Sequence, residues 1–226
     1  MKIMVISLGG SVIVPDDLDF KFIDNFKETV RKHYSKYKFV VVTGGGSIAR
    51  KYINALKNEG KSKKELALAG IRATRMNATF LTQFFGKEAN NTLPLNMEEV
   101  KSKLKKNNVV LCGALRYKDN STSDETAAKL AHFFKSDFIN ITNVPGLYTS
   151  DPKKNKNAKL INHISWQEFN NMISKIKFHA GQHFVLDQGA AILIKKHKIR
   201  TYIIGDTKNL EKILKNTKFK GTIIER

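Results

Sequence analysis

Three consecutive glycines join an apolar, β-branched run to a helical pattern in VVVTGGGSIARKYI, residues 40 to 53. Glycine loses more conformational freedom on folding than any other residue, so three in a row are costly for an ordinary turn. The pattern points instead to a backbone that fits closely around a ligand at a helix N-terminus, where unpaired N–H groups and the helix dipole favour an anion. Arg50 lies one turn inside that helix. It reads either as a charged clamp over the same anion or as a surface arginine. The spacing from the glycines to Lys51 is not that of a Walker loop.

The rest of the chain repeats this alternation. KIMVIS (2 to 7) and KFVVVT (38 to 43) read as strands, and Phe22, Phe26, Val30 and Tyr34 recur between them at helical spacing. A helical stretch from 46 to 85 is expected to break near Gly60. Beyond it come helix 97 to 106, strand 108 to 112, helix 124 to 134, strand 137 to 141, helix 182 to 196, strand 200 to 204, helix 207 to 215 and strand 221 to 224. Short apolar strands between helices predict an α/β fold whose central sheet is mostly parallel and covered on both faces. Ligands then collect at the carboxyl ends of the strands.

Two further carboxyl ends carry suggestive clusters. Gly9, Gly10 and Ser11 follow the first strand and allow a tight turn that aims N–H groups at a phosphate, although a purely structural turn reads as well. Ser121, Thr122 and Ser123 lead into Asp124 and an alanine-rich helix. Ordinary capping accounts for part of that pattern, and a second anion cradle facing the glycines is the alternative.

Composition narrows the classes. The single cysteine, Cys112, excludes an intrachain disulfide framework and a cysteine metal cluster. No apolar run reaches the roughly 20 residues of a membrane span, and MKIMVISLGG runs into glycines instead of a cleavage pattern, so a cytoplasmic location is expected. The formal charge of +20 suits nucleic acid or anionic substrates. The lysines are scattered and not interleaved with aromatics, so a solvated surface is the plainer reading and nucleic acid is not expected as a partner.

With these segments in hand, the sequence resembles the amino acid kinase superfamily and, within it, the archaeal uridylate kinases. The resemblance is carried by LGGSVIVP (8 to 15), TGGGSIARKYI (43 to 53), GIRATRMNA (70 to 78), STSDETAA (121 to 128), TNVPGLYTSDP (142 to 152), VLDQGA (185 to 190) and GTIIE (221 to 225). It implies a three-layer sandwich in which residues 1 to 135 form an acceptor and assembly lobe and residues 136 to 226 an ATP lobe, sharing one continuous sheet. By the resemblance, ATP is met by Gly9, Gly10, Ser11, Gly46, Arg50, Thr142, Asn143, Tyr148 and Asp151. UMP is met by Gly44, Gly45, Tyr117, Lys118, Asp119, Asn120, Ser121, Thr122 and Ser123, with Asp124 and Arg50 catalytic and Mg²⁺ arriving with ATP. A homohexamer built on the helix of Arg75 and Asn77 is implied as well. Phosphoryl transfer asks for alignment and charge neutralisation, which agrees with the lack of a Ser-His-Asp or Cys-His arrangement. His179 and His183 stand at helical spacing, but the resemblance puts them in an ATP-side loop, where a structural or solvent role is expected.

Four positions depart from the pattern. Ser7 and Ile192 stand where relatives often carry lysine, Pro145 replaces an aspartate, and Ala67 replaces an acid that holds the nucleoside; the loop 113 to 124 is also longer than the common form. Competing readings are another acceptor on the same fold, a nucleotide-binding relative without catalysis, or a nucleic-acid binder. An isopentenyl phosphate kinase is disfavoured because Ser47, Ile48, Ala49 and Arg50, with no histidine, follow the glycines.

Overall fold

A computed structural model describes residues 1 to 115, 122 to 150, 152, 155 to 174 and 185 to 226. Among them the elements run β1 (Lys2–Leu8), α1 (Gly10–Ile13), α2 (Phe20–Arg31), β2 (Tyr37–Thr43), α3 (Gly46–Asn58), α4 (Lys63–Phe85), α5 (Met97–Lys106), β3 (Val109–Cys112), α6 (Ser123–Phe134), β4 (Phe138–Ile141), β5 (His163–Ser165), α7 (Trp166–Ser174), α8 (Gln188–His197), β6 (Thr201–Ile204), α9 (Thr207–Leu214) and β7 (Thr222–Glu225). The expected break near Gly60 separates α3 from α4. Gly60 adopts φ +68° there, and Ser62 with Glu65 forms a capping box that starts the next helix.

The strands form one seven-stranded sheet in the order β3-β2-β1-β4-β6-β7-β5. Every neighbouring pair is parallel except β6–β7. Alternation along β1 assigns the two faces. Met4, Ile6 and Leu8 pack with Phe26 of α2, Leu81 of α4 and Leu210 of α9, whereas Val5 packs with Leu104 of α5, Ala127 of α6, Phe169 of α7 and Ala190 of α8. Helices therefore cover both sides of a buried sheet, in three layers.

Two features depart from the sequence reading. The helix expected from 182 begins, within the described residues, only at Gln188, because the Asp187 side chain accepts from Ala190 N and caps it. The segments α1, β5 and α7 were not expected; α1 and β5 are too short to show a period.

The order places a switch point beside β1. The chain builds outward through β2 to β3 and then returns to β4 on the other side of β1, and open sheets of this kind take ligands in a crevice at such a point, here the carboxyl ends of β1 and β4. The described residues of all three sequence clusters lie on that edge.

Candidate functional site

The first wall of the site is backbone. Gly9 caps α1 and donates its N–H to Ile141 O at 2.8 Å, and Gly44 N donates to Leu8 O at 2.8 Å, so the ends of β1, β2 and β4 are tied side by side. A Cβ on Gly10 would stand 1.9 Å from Gly46 N, and one on Gly44 2.3 Å from Gly10 N. Gly46 adopts φ +64°, with Gly10 O and Val14 O on the side a Cβ would take. The triple glycine is thus required first by the close approach of two bends to each other. Asn77, buried on α4, donates to Gly44 O at 2.8 Å and fixes the same bend from behind.

Ser11 and Arg50 flank this wall. Ser11 lies in the first turn of α1. Arg50, half-buried on α3, donates to Pro15 O at 3.1 Å, so its guanidinium turns toward the segment that follows α1. Gly45 caps α3 through its backbone.

The second wall is made of hydroxyls and carboxylates. Ser7 is buried on the α6 face of β1 and donates to Asp124 Oδ1 at 2.7 Å. The register pairs Ser7 with Val42, two residues before Gly44, so Asp124 and the glycine bends stand on one edge of the sheet. Thr122 caps α6 by accepting from Glu125 N at 3.1 Å and gives its own proton to Asp187 Oδ2. Ser123 is the half-buried first residue of α6. Enclosure by protein, then the nearby Asp187, pushes the Asp124 carboxyl up to about 7, against the opposing hydrogen bond from Ser7. Burial also raises Asp187, while Thr122 and the Ala190 N–H pull it down. Glu125 is balanced locally by Lys129 at 2.5 Å.

The third portion belongs to β4. Thr142 N donates to Ile204 O at 3.0 Å, and its hydroxyl lies 3.5 Å from Asn143 Oδ1; Thr142 is buried and Asn143 exposed. Gly146 packs under Thr222, whose hydroxyl accepts from Leu147 N at 2.8 Å. Tyr148 is half-buried and bridges to Leu160 in a small hairpin. Pro145 packs against Gly205.

Tyr117, Lys118, Asp119, Asn120, Ser121 and Asp151 lie outside the described residues, as do His179 and His183. Asp187 was missed as a site residue, and Ser7 was read only as a missing lysine. Arg75, on the helix from which a hexamer is expected, donates to Ala114 O at 3.0 Å and to Leu115 O, pinning the root of the segment after β3. Ile192 is 58% exposed on α8.

Among the described residues no three potential ligands form a metal cluster. The Asp124 carboxylate beside Asp187 suits an ion that brings most of its ligands on a nucleotide, the usual habit of Mg²⁺. Cys112 is no candidate nucleophile, since full burial pushes its thiol up to about 12. Among the described residues the edge brings together glycine bends, hydroxyls and two carboxylates.

Comparison with known proteins finds relatives over the full length of the chain. The uridylate kinase of Archaeoglobus fulgidus is 36% identical over 226 residues, covering 99% of this chain and 100% of that protein. That of Thermococcus onnurineus is 35% identical over 225 residues, covering 98% and 99%. The crystal structure of the Archaeoglobus fulgidus enzyme superposes with a TM-score of 0.85 over 99% of this chain and 100% of that one. An isopentenyl phosphate kinase structure, 18% identical with a TM-score of 0.70 over 98% of this chain and 100% of that one, shares the fold alone. The sequence pattern of the amino acid kinase family matches residues 2 to 205, taking in the glycine bends, the α6 cap and the end of β4 alike, and the chain belongs to that family.

Proposed function

We propose that this chain is a uridylate kinase, transferring the γ-phosphoryl group of ATP to UMP to give ADP and UDP in pyrimidine nucleotide synthesis. The observation that carries the reading is full-length likeness at 32 to 36% identity to uridylate kinases, combined with a carboxyl edge built for anions. Residues 1 to 135 serve as the acceptor lobe and 136 to 226 as the ATP lobe.

Catalysis in this reading is alignment of two anions. Gly10, Ser11 and Gly46 bind the ATP phosphates, and Gly44, Gly45, Ser123 and the segment before α6 bind UMP. Arg50 swings from Pro15 O to the transferring group, where a guanidinium neutralises charge. Thr142, Asn143 and Tyr148 orient the adenosine. Mg²⁺, when bound with ATP, supplies charge neutralisation on the phosphate oxygens, and Asp124 would hold it. Ser7 keeps the Asp124 carboxylate turned toward the crevice and needs no positive charge of its own to do so.

The enzyme acts in the cytoplasm as a homohexamer in this proposal. Among the described residues no helix is long and apolar enough to cross a membrane. Assembly would use the outer face of α4, where Met76 is 46% exposed. The test is an acceptor panel of UMP, CMP, AMP, dUMP, isopentenyl phosphate and aspartate, followed by ADP release with Mg-ATP. UMP is expected to give the highest kcat/KM. An acceptor used about tenfold better would replace UMP and leave the fold untouched.

A further inference from the structure

Asp187 connects parts of the molecule that lie far apart in sequence. Its Oδ1 accepts from Ala190 N at 2.9 Å and caps α8. Its Oδ2 accepts the Thr122 hydroxyl proton, and that hydroxyl in turn accepts from Glu125 N at 3.1 Å, capping α6. One carboxylate therefore joins the first turn of α8 to the first turn of α6. Asp124 stands in that same turn of α6 and accepts from Ser7 on β1.

A helix cap alone does not call for this arrangement. Asp206 caps α9 through Asn209 N from an exposed position, where its charge is hydrated. Asp187 is half-buried beside the Asp124 and Glu125 carboxylates, where crowding of acids is costly. Thr122 and the Ala190 N–H offset part of that cost and leave Asp187 with fixed partners on both helices. The hydroxyl that the sequence assigns to UMP is thereby already engaged on both its donor and acceptor sides. What it transmits is the placement of Asp124.

Resting on the uridylate kinase reading, we propose that Asp187 is a positioning residue for phosphoryl transfer, acting through Thr122 to hold the α6 turn, and with it Asp124, in register with the ATP lobe. It touches neither substrate. Its loss should lower kcat while the apparent affinities for ATP and UMP stay close to those of the wild type.

The test is a double-mutant cycle on the full chain, with melting temperature recorded for each protein. Asp187→Asn keeps an acceptor for Ala190 N and hence the α8 cap. Thr122→Val removes the linking hydroxyl, and Thr122→Ser restores it. Asp187→Asn and Thr122→Val should each lower kcat about tenfold or more with KM changed by less than about threefold. The double variant should be no slower than the worse single one, and Thr122→Ser should keep most of the rate. Multiplying losses, or Asp187→Asn with wild-type kcat and only a lowered melting temperature, would overturn the inference and leave a plain cap. A wild type inert toward UMP would sink the parent reading instead. The cycle is then read in slow hydrolysis of ATP to water, where non-additive losses support the positioning role and additive ones remove it.

Discussion

The two walls of the carboxyl edge are built in opposite ways. The glycine wall has almost no side chains: Gly10, Gly44 and Gly46 are fixed by backbone contact, with a Gly10 Cβ meeting Gly46 N at 1.9 Å. The hydroxyl–carboxylate wall is made of side chains, linking Ser7, Thr122, Asp124 and Asp187 through hydrogen bonds between three segments. The first is rigid and uncharged, the second titratable. A site that transfers a phosphoryl group needs both, one to fix distance and one to manage charge.

The largest expected effect breaks the first wall. Gly10→Ala forces the two bends apart, so stability should fall by about 4 kcal/mol or more, beyond ordinary substitutions, and activity should vanish; chemical denaturation and ADP release read both. Substitution in the charge wall should separate rate from stability. Asp124→Asn is expected to lose about 10²-fold or more in kcat while unfolding no more easily than the wild type, since it removes a charge that burial already disfavours. Arg50→Ala should lose a similar factor with little change in stability, because its hydrogen bond to Pro15 O is exposed and of little structural weight.

A smaller effect distinguishes the walls by pH. Asp124 has a folded pKa raised to about 7, above its ordinary 3.8, so the unfolded chain releases that proton first. Its contribution to stability is therefore full below about pH 4 and is lost as pH rises to about 7. Urea melts across that window should show the decline in the wild type and not in Asp124→Asn, and no such difference should separate wild type from a glycine-wall variant. The smallest effect is a control away from both walls. Gly60 shares positive φ with Gly46 but has open space where a Cβ would go, so Gly60→Ala should cost only about 1 kcal/mol and leave kcat unchanged.

The walls also differ in how far the sequence discloses them. The strands of the sheet other than β5, the Gly60 break and α5 follow from local period and breakers, which is why 97 to 106 was readable as it stands. The triple glycine was visible too, but its first cause was not, since the second bend lies over 30 residues away. Asp187 shows the limit most clearly. A capping pattern is present in VLDQGA, yet its partner Thr122 is 65 residues distant, and nothing local tells a surface cap from a buried link. The segment α7 carried a readable signal in Trp166, Phe169 and Ile173 at helical spacing, which the short strand β5 before it obscured.

A crystal structure of the protein with UMP and a non-hydrolysable ATP analogue bears most directly on the shared edge. The account predicts the phosphates of both ligands at the carboxyl ends of β1 and β2, those of the ATP analogue within hydrogen-bonding distance of the backbone at Gly10 and Gly46 and that of UMP at Gly44 and Gly45, with the Asp124 carboxylate beside them. Nucleotide density at the opposite, amino-terminal edge, or on two separate faces of the sheet, would contradict it.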